Sequence, residues 1–123
     1  MIRDFFRRLK WRVLWSLAGW RDAWANEPSL RSWVWANGAS ALAAFVLPLS
    51  MGERALILSL GVVVLAVELI NTAIERVVDR ISSEEHDLSR RAKDAGSAGV
   101  ALAALAAGLA WAVVLWRLGF GGA

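Results

Sequence analysis

The sequence predicts an all-α integral membrane protein, with an N-terminal amphipathic surface helix followed by three transmembrane helices. Three observations carry that reading. Hydrophobic residues make up 58% of the 123 and are segregated into long apolar runs separated by short charged pieces, the pattern of membrane spans rather than of a soluble core. The first 26 residues interleave aromatic, aliphatic and basic side chains at helical spacing. Lysine and arginine are distributed very unevenly between the predicted loops.

In the first segment, Ile2, Phe5, Phe6, Leu9, Val13, Leu17, Trp20 and Trp24 fall on one side of a helix. Arg3, Asp4, Arg7, Arg8 and Arg12 fall on the other, as in a helix lying in a membrane interface. The four tryptophans at 11, 15, 20 and 24 suit the headgroup level as anchors. No clean apolar stretch leads to a small-residue cleavage site, so the segment does not read as a signal peptide. Hydrophobicity this dense also argues against nucleic acid as the partner of the basic residues. Asn26, Glu27, Pro28 and Ser29 form a break, with Pro28 suited to open the next helix because its missing N–H belongs to the unpaired first turn.

The first span is predicted over residues 30–49, diluted by Asn37, Gly38 and Ser40 and so expected to have a protein-facing side. A tight reversal leads into a second span over 54–81. Residues 82–89 read as a loop in which Ser82 and Glu85 match a capping box. The third helix is therefore expected to begin ahead of its apolar run, the span itself covering 90–118. Gly96, Gly99 and Gly108 offer places where another helix can approach closely. Trp111, Trp116 and Arg117 mark the far interface, and residues 119–123 are expected to fray. The 123 residues make a single membrane domain. Of the 14 lysines and arginines, all but Arg54 and Arg117 lie before or at the start of span one or around the second loop. By the positive-inside rule this puts the N-terminus and the second loop in the cytoplasm.

The second span is unusual because Glu68, Asn71, Glu75 and Asp79 lie within an arc of roughly 80° on one helix face. Ionisable groups at membrane depth face a bundle interior or a water-filled cavity and mark functional sites. With Glu27 and with Lys93 and Asp94, that face gathers at the cytoplasmic interface. Carboxylates and an amide are hard oxygen ligands suited to magnesium, and arginine or lysine can hold polyphosphate. These are the minimal parts for phosphoryl transfer from a nucleotide to an acceptor in the bilayer. There are no cysteines, no P-loop and no nucleophile triad.

Simpler roles stand beside these. Glu75 with Arg76 and Arg80 also fits a snorkelling, ion-paired helix end, Asp79 an arginine's partner and His86 a solvated loop residue. Glu68 and Asn71 lie too deep for that account. A small proton-coupled transporter with Glu68 as the carrier is a second functional class, and a structural subunit stapled by its Ala/Gly helix a third.

The string ELINTAIERVVDRISSEEHDLSRRAKDAGSAGV, residues 68–100, closely resembles the signature of the prokaryotic diacylglycerol kinases. It contains E-x-x-N-(T/S)-A-I-E-x-x-V-D and A-K-D-x-(G/A)-S-A, and W-x-N-E at residues 24–27 supports it. The resemblance implies a homotrimer with shared active sites in the bacterial inner membrane. It also implies transfer of the ATP γ-phosphoryl group to diacylglycerol, giving phosphatidic acid, with Mg2+ as cofactor. A branch of the family phosphorylates undecaprenol instead. By the same resemblance Glu75 is the catalytic base, Glu27 and Glu75 are the metal ligands, and Asn71, Asp79, Lys93 and Asp94 are nucleotide-site or catalytic residues. Glu68 and Ser97 resemble lipid-site residues, while Arg8, Glu84 and His86 fall near nucleotide contacts. There is no tyrosine, so the aromatic contact that some members offer from the surface helix falls to Trp15, and Ser32 stands where some carry glutamine.

Overall fold

The computed structural model describes residues 1–121 as four α-helices: α1 Ile2–Asn26, α2 Pro28–Val46, α3 Met51–Ile81 and α4 Asp87–Phe120. Only Glu27 separates α1 from α2, and its extended backbone (φ −114°, ψ 99°) is what a residue preceding proline is pushed towards. Arg31 reaches back and donates to the carbonyls of Trp24 at 2.7 Å and Ala25 at 3.3 Å, satisfying acceptors left over at the end of α1. Leu47, which precedes Pro48, ends α2 in the same extended way.

Helix α3 starts three residues ahead of the expected span, at Met51, because Ser50 and Glu53 form a reciprocal capping box. The Glu53 amide donates to Ser50 Oγ at 3.1 Å and the Ser50 amide to Glu53 Oε2 at 2.8 Å. The capping box expected at Ser82 and Glu85 does not form. Ser82 closes α3, and its Oγ accepts from the Glu84 amide at 3.0 Å. The N-cap of α4 is His86, whose Nδ1 accepts from the Leu88 amide at 3.1 Å. The third helix does begin ahead of its apolar run, with His86 in place of Ser82 as its cap. At the other end, Gly119 and Phe120 continue α4 rather than fray, and residues 122 and 123 lie outside the described residues.

Helix α3 packs along α4 on one side and α2 on the other, while α1 is joined to the rest near its C-terminal end, through Trp24 and Asp22. The apolar core lies towards the Pro48 turn, where Ala44, Leu49, Ile57, Ala110 and Val114 are buried against Leu47, Leu60, Trp111 and Leu118. Trp111 packs against this core, its Nε1 donating to Ser40 Oγ at 2.8 Å, while Trp116 stays exposed. Asn37 and Ser40 face protein as expected, and Gly38 does not. A Cβ on Gly61 would lie 2.0 Å from Asn37 Oδ1, so any larger residue there would displace the Asn37 amide. Gly96 is as tightly approached by Asn71, Gly99 makes ordinary contact with Val67, and Gly108 meets nothing within 4 Å.

Most large apolar side chains point outwards, Val62, Leu102 and Val113 among them. Two helices, α3 and α4, are long and apolar enough to cross a membrane. Helix α2, with 19 residues that include Arg31, Asn37 and Ser40, is not one of them.

Candidate active site

Among the described residues the buried polar side chains are Glu68, Asn71 and Thr72, on consecutive turns of α3. They sit where α4 presents bare backbone: a Cβ added to Gly96 would come within 2.3 Å of Asn71 Oδ1. Asn71 Nδ2 donates to Glu75 Oε1 at 3.3 Å, joining residues one turn apart. Asn71 Oδ1 is buried with no hydrogen-bond partner among the described residues. An unpaired acceptor in such a place is costly unless a ligand or water completes it. Glu75 is half-buried, at the edge of this polar layer.

Two charge clusters flank it. Arg76, also on α3, donates to Glu27 Oε1 at 2.9 Å and to Asp22 Oδ2, tying the joint between α1 and α2 to α3. One turn further along, Asp79 accepts from Lys93 of α4 at 2.6 Å. This pair opens onto a groove of about 550 Å³ at the α3–α4 turn, lined also by Ser82, Glu84, His86 and Arg90. Asp79 thus has a lysine as partner rather than an arginine.

The family described as prokaryotic diacylglycerol kinase matches residues 14–115, most of the chain. The Diacylglycerol kinase of Escherichia coli K12 is 42% identical over 115 residues, covering 90% of this chain and 91% of that one. The Diacylglycerol kinase of Pseudomonas aeruginosa is 44% identical over 100 residues, 81% of each chain. That of Helicobacter pylori J99 is 31% identical over 121 residues, 94% of this chain and 90% of its own.

The chain belongs to the prokaryotic diacylglycerol kinase family.

The family resemblance put twelve residues at the site, and a single chain brings eight of them to this region. Glu68, Asn71 and Glu75 form the buried layer and its edge, Glu27 meets it through Arg76, and Asp79, Lys93, Glu84 and His86 line the groove. The other four stand apart. Asp94 pairs with Arg90 at 3.0 Å, because consecutive helical residues point about 100° apart and it cannot share the direction of Lys93. Ser97 is exposed on α4, Arg8 is exposed on α1, and Trp15 stacks on Trp11 with ring centroids 6.5 Å apart. Two residues went unnoticed in the sequence: Thr72, which belongs to the buried layer, and Asp22, which with Arg76, expected only as a snorkelling helix end, completes the bridge to Glu27. Asp22 sits one turn before Asn26, whose Nδ2 donates to Asp22 Oδ1 at 3.0 Å, and that i, i+4 spacing beside the chain break was the available signal.

A kinase family implies a nucleotide and a divalent metal. Among the described residues no group of three or more His, Cys, Asp or Glu side chains is placed to hold a metal ion. A magnesium-type ion keeps several waters and binds through one or two carboxylates plus substrate phosphates, so it does not require such a group. Glu27 and Glu75 supply hard carboxylate oxygen of the right kind, so these two residues fit the group.

Proposed function

We propose that this chain is a membrane-embedded diacylglycerol kinase, transferring the γ-phosphoryl group of ATP to the free hydroxyl of diacylglycerol to give phosphatidic acid and ADP. The observation that carries the reading is Glu75: a half-buried carboxylate held by Asn71 on a helix apolar enough to cross a membrane, one residue before a cation and below the Asp79–Lys93 groove. There it can take the hydroxyl proton as the lipid oxygen bonds to the γ-phosphorus and the bond to the β,γ-bridging oxygen breaks. Lys93 and the groove residues Glu84 and His86 bind the nucleotide. Lys93, held by Asp79, offers its ammonium to phosphate. Glu27 and Glu75 would hold Mg2+, which supplies charge neutralisation on the phosphoryl oxygens. Glu68 and Ser97 are assigned to the lipid site, and Asp94 to the nucleotide side.

The membrane reading has α2 as a third span beside α3 and α4, with spans over 30–49, 54–81 and 90–118 and α1 on the cytoplasmic surface of the inner membrane. The uneven lysine and arginine distribution and the apolar exterior support it. We also infer a homotrimer with shared sites. The support is that Arg8, Trp15, Asp94 and Ser97 lie off the cluster within one chain, leaving a site that neighbouring chains would complete.

The test uses purified protein in mixed micelles with ATP, Mg2+ and diacylglycerol, with undecaprenol as a parallel acceptor. Phosphatidic acid should form, and Glu75→Gln should abolish its formation while the oligomer persists. Full turnover by the Gln variant would remove Glu75 from the base role, and phosphorylation of undecaprenol alone would change the acceptor.

A further inference from the structure

The Asp22–Arg76–Glu27 bridge lies outside the roles assigned above to the catalytic groups, yet it engages one of the two proposed metal ligands. Arg76 divides its guanidinium between two carboxylates, Nη1 to Asp22 and Nη2 to Glu27 Oε1. Asp22 is itself held in place, because Asn26 Nδ2 donates to both its carbonyl oxygen at 2.9 Å and its Oδ1 at 3.0 Å. Arg76 holds Glu27 and follows Glu75 in sequence, so the α1–α2 joint is tied to the turn of α3 that carries Glu75. A guanidinium and a divalent cation compete for the same carboxylate oxygens, and the outcome depends on where the guanidinium goes when it lets go.

Resting on the kinase reading, we propose that Arg76 is a positioning residue that holds Glu27 until the metal–nucleotide complex arrives, and that Asp22 is its parking partner. When Glu27 turns to the cation, Arg76 remains paired with Asp22, so no charge is stranded and release costs little. Without Asp22, Arg76 has Glu27 as its remaining partner and competes for it more strongly. Asp22 thereby sets the magnesium requirement without touching substrate or metal.

The sign is testable. In Asp22→Asn the half-saturating Mg2+ concentration for lipid phosphorylation should rise about threefold, the scale of a partly exposed ion pair, while kcat at saturating Mg2+ does not move. Removing a negative charge near a cation site would by itself have the same sign, so the deciding measurement is the double variant. On an Arg76→Gln background Asp22→Asn should have no effect on the magnesium requirement, and Arg76→Gln alone should lower it. Arg76→Lys should keep part of the wild-type behaviour. Mn2+ binding, followed by electron paramagnetic resonance with a non-hydrolysable ATP analogue, should report the same order of affinities without turnover. An Asp22→Asn shift of equal size with and without Arg76, no shift at all, or a loss confined to kcat would overturn the proposal. Absence of lipid phosphorylation by the wild-type protein would instead overturn the kinase reading, with the Mn2+ titrations still reporting on the bridge.

Discussion

The two ends of the helical bundle are built by different means. At the Pro48 end, Ala44, Leu49, Ile57, Ala110 and Val114 close an apolar core. The polar groups around it are tied to backbone or to each other across helices: Ser50 and Glu53 cap α3, Arg54 Nε donates to the Ala44 carbonyl at 2.8 Å, and Arg117 joins Glu53 at 2.5 and 2.8 Å and the Pro48 carbonyl at 3.2 Å. At the opposite end the interior is Glu68, Asn71 and Thr72, one acceptor is left open, and the helices are joined by Arg76 and Lys93 to carboxylates. The Arg117–Glu53 pair is itself anchored to the Pro48 carbonyl and the α3 cap, whereas Arg76 divides its guanidinium between two carboxylates and can exchange them. The contrast separates an end that holds the fold from an end that can admit a charged ligand.

Substitutions can break that contrast. The largest effect is expected from Glu75→Gln, which should lower kcat by about 10²- to 10⁴-fold, the usual worth of a general base, with thermal stability unchanged. A matching loss of stability would mean the polar end also holds the fold. Next comes Gly96→Ala, whose Cβ would press on Asn71 Oδ1 from 2.3 Å. Overpacking of this kind costs about 1–3 kcal/mol, and it should lower both Tm and turnover because it displaces the amide that holds Glu75. Ser50→Ala removes the capping box at the other end and should cost about 1 kcal/mol in denaturation, with kcat and the magnesium requirement kept. The smallest effect is Gly108→Ala. Among the described residues nothing lies within 4 Å of where its Cβ would be, so the substitution should be neutral or stabilise α4 by up to about 1 kcal/mol, measured by thermal unfolding in detergent.

What was legible in the sequence follows from the range of the interactions involved. The acidic face of α3 and the break at Pro28 depend on spacing within a few residues, and both appear in the structure. The helix caps were harder, because Ser50 to Glu53 and Ser82 to Glu85 match the same four-residue pattern. Only the structure shows that Ser82 is already used to close α3, leaving His86 to open α4. Arg76 read as a snorkelling helix end because its partner Asp22 is 54 residues away, beyond any local pattern. Lys93 and Asp94, adjacent in the motif, part company in the fold since a helix turns them to different neighbours.

The single-residue joint at Glu27 gives the surface helix a fulcrum. Helix α1, with 25 residues, is a lever about 37 Å long at 1.5 Å per residue. A rocking motion of about 10° would carry its free end through about 6 Å, while a side chain at the pivot moves by well under 1 Å. Placing Glu27 at the pivot, clasped by Arg76 and with Arg31 holding the end of the lever, puts the proposed metal ligand at the stillest point of the most exposed helix in the molecule.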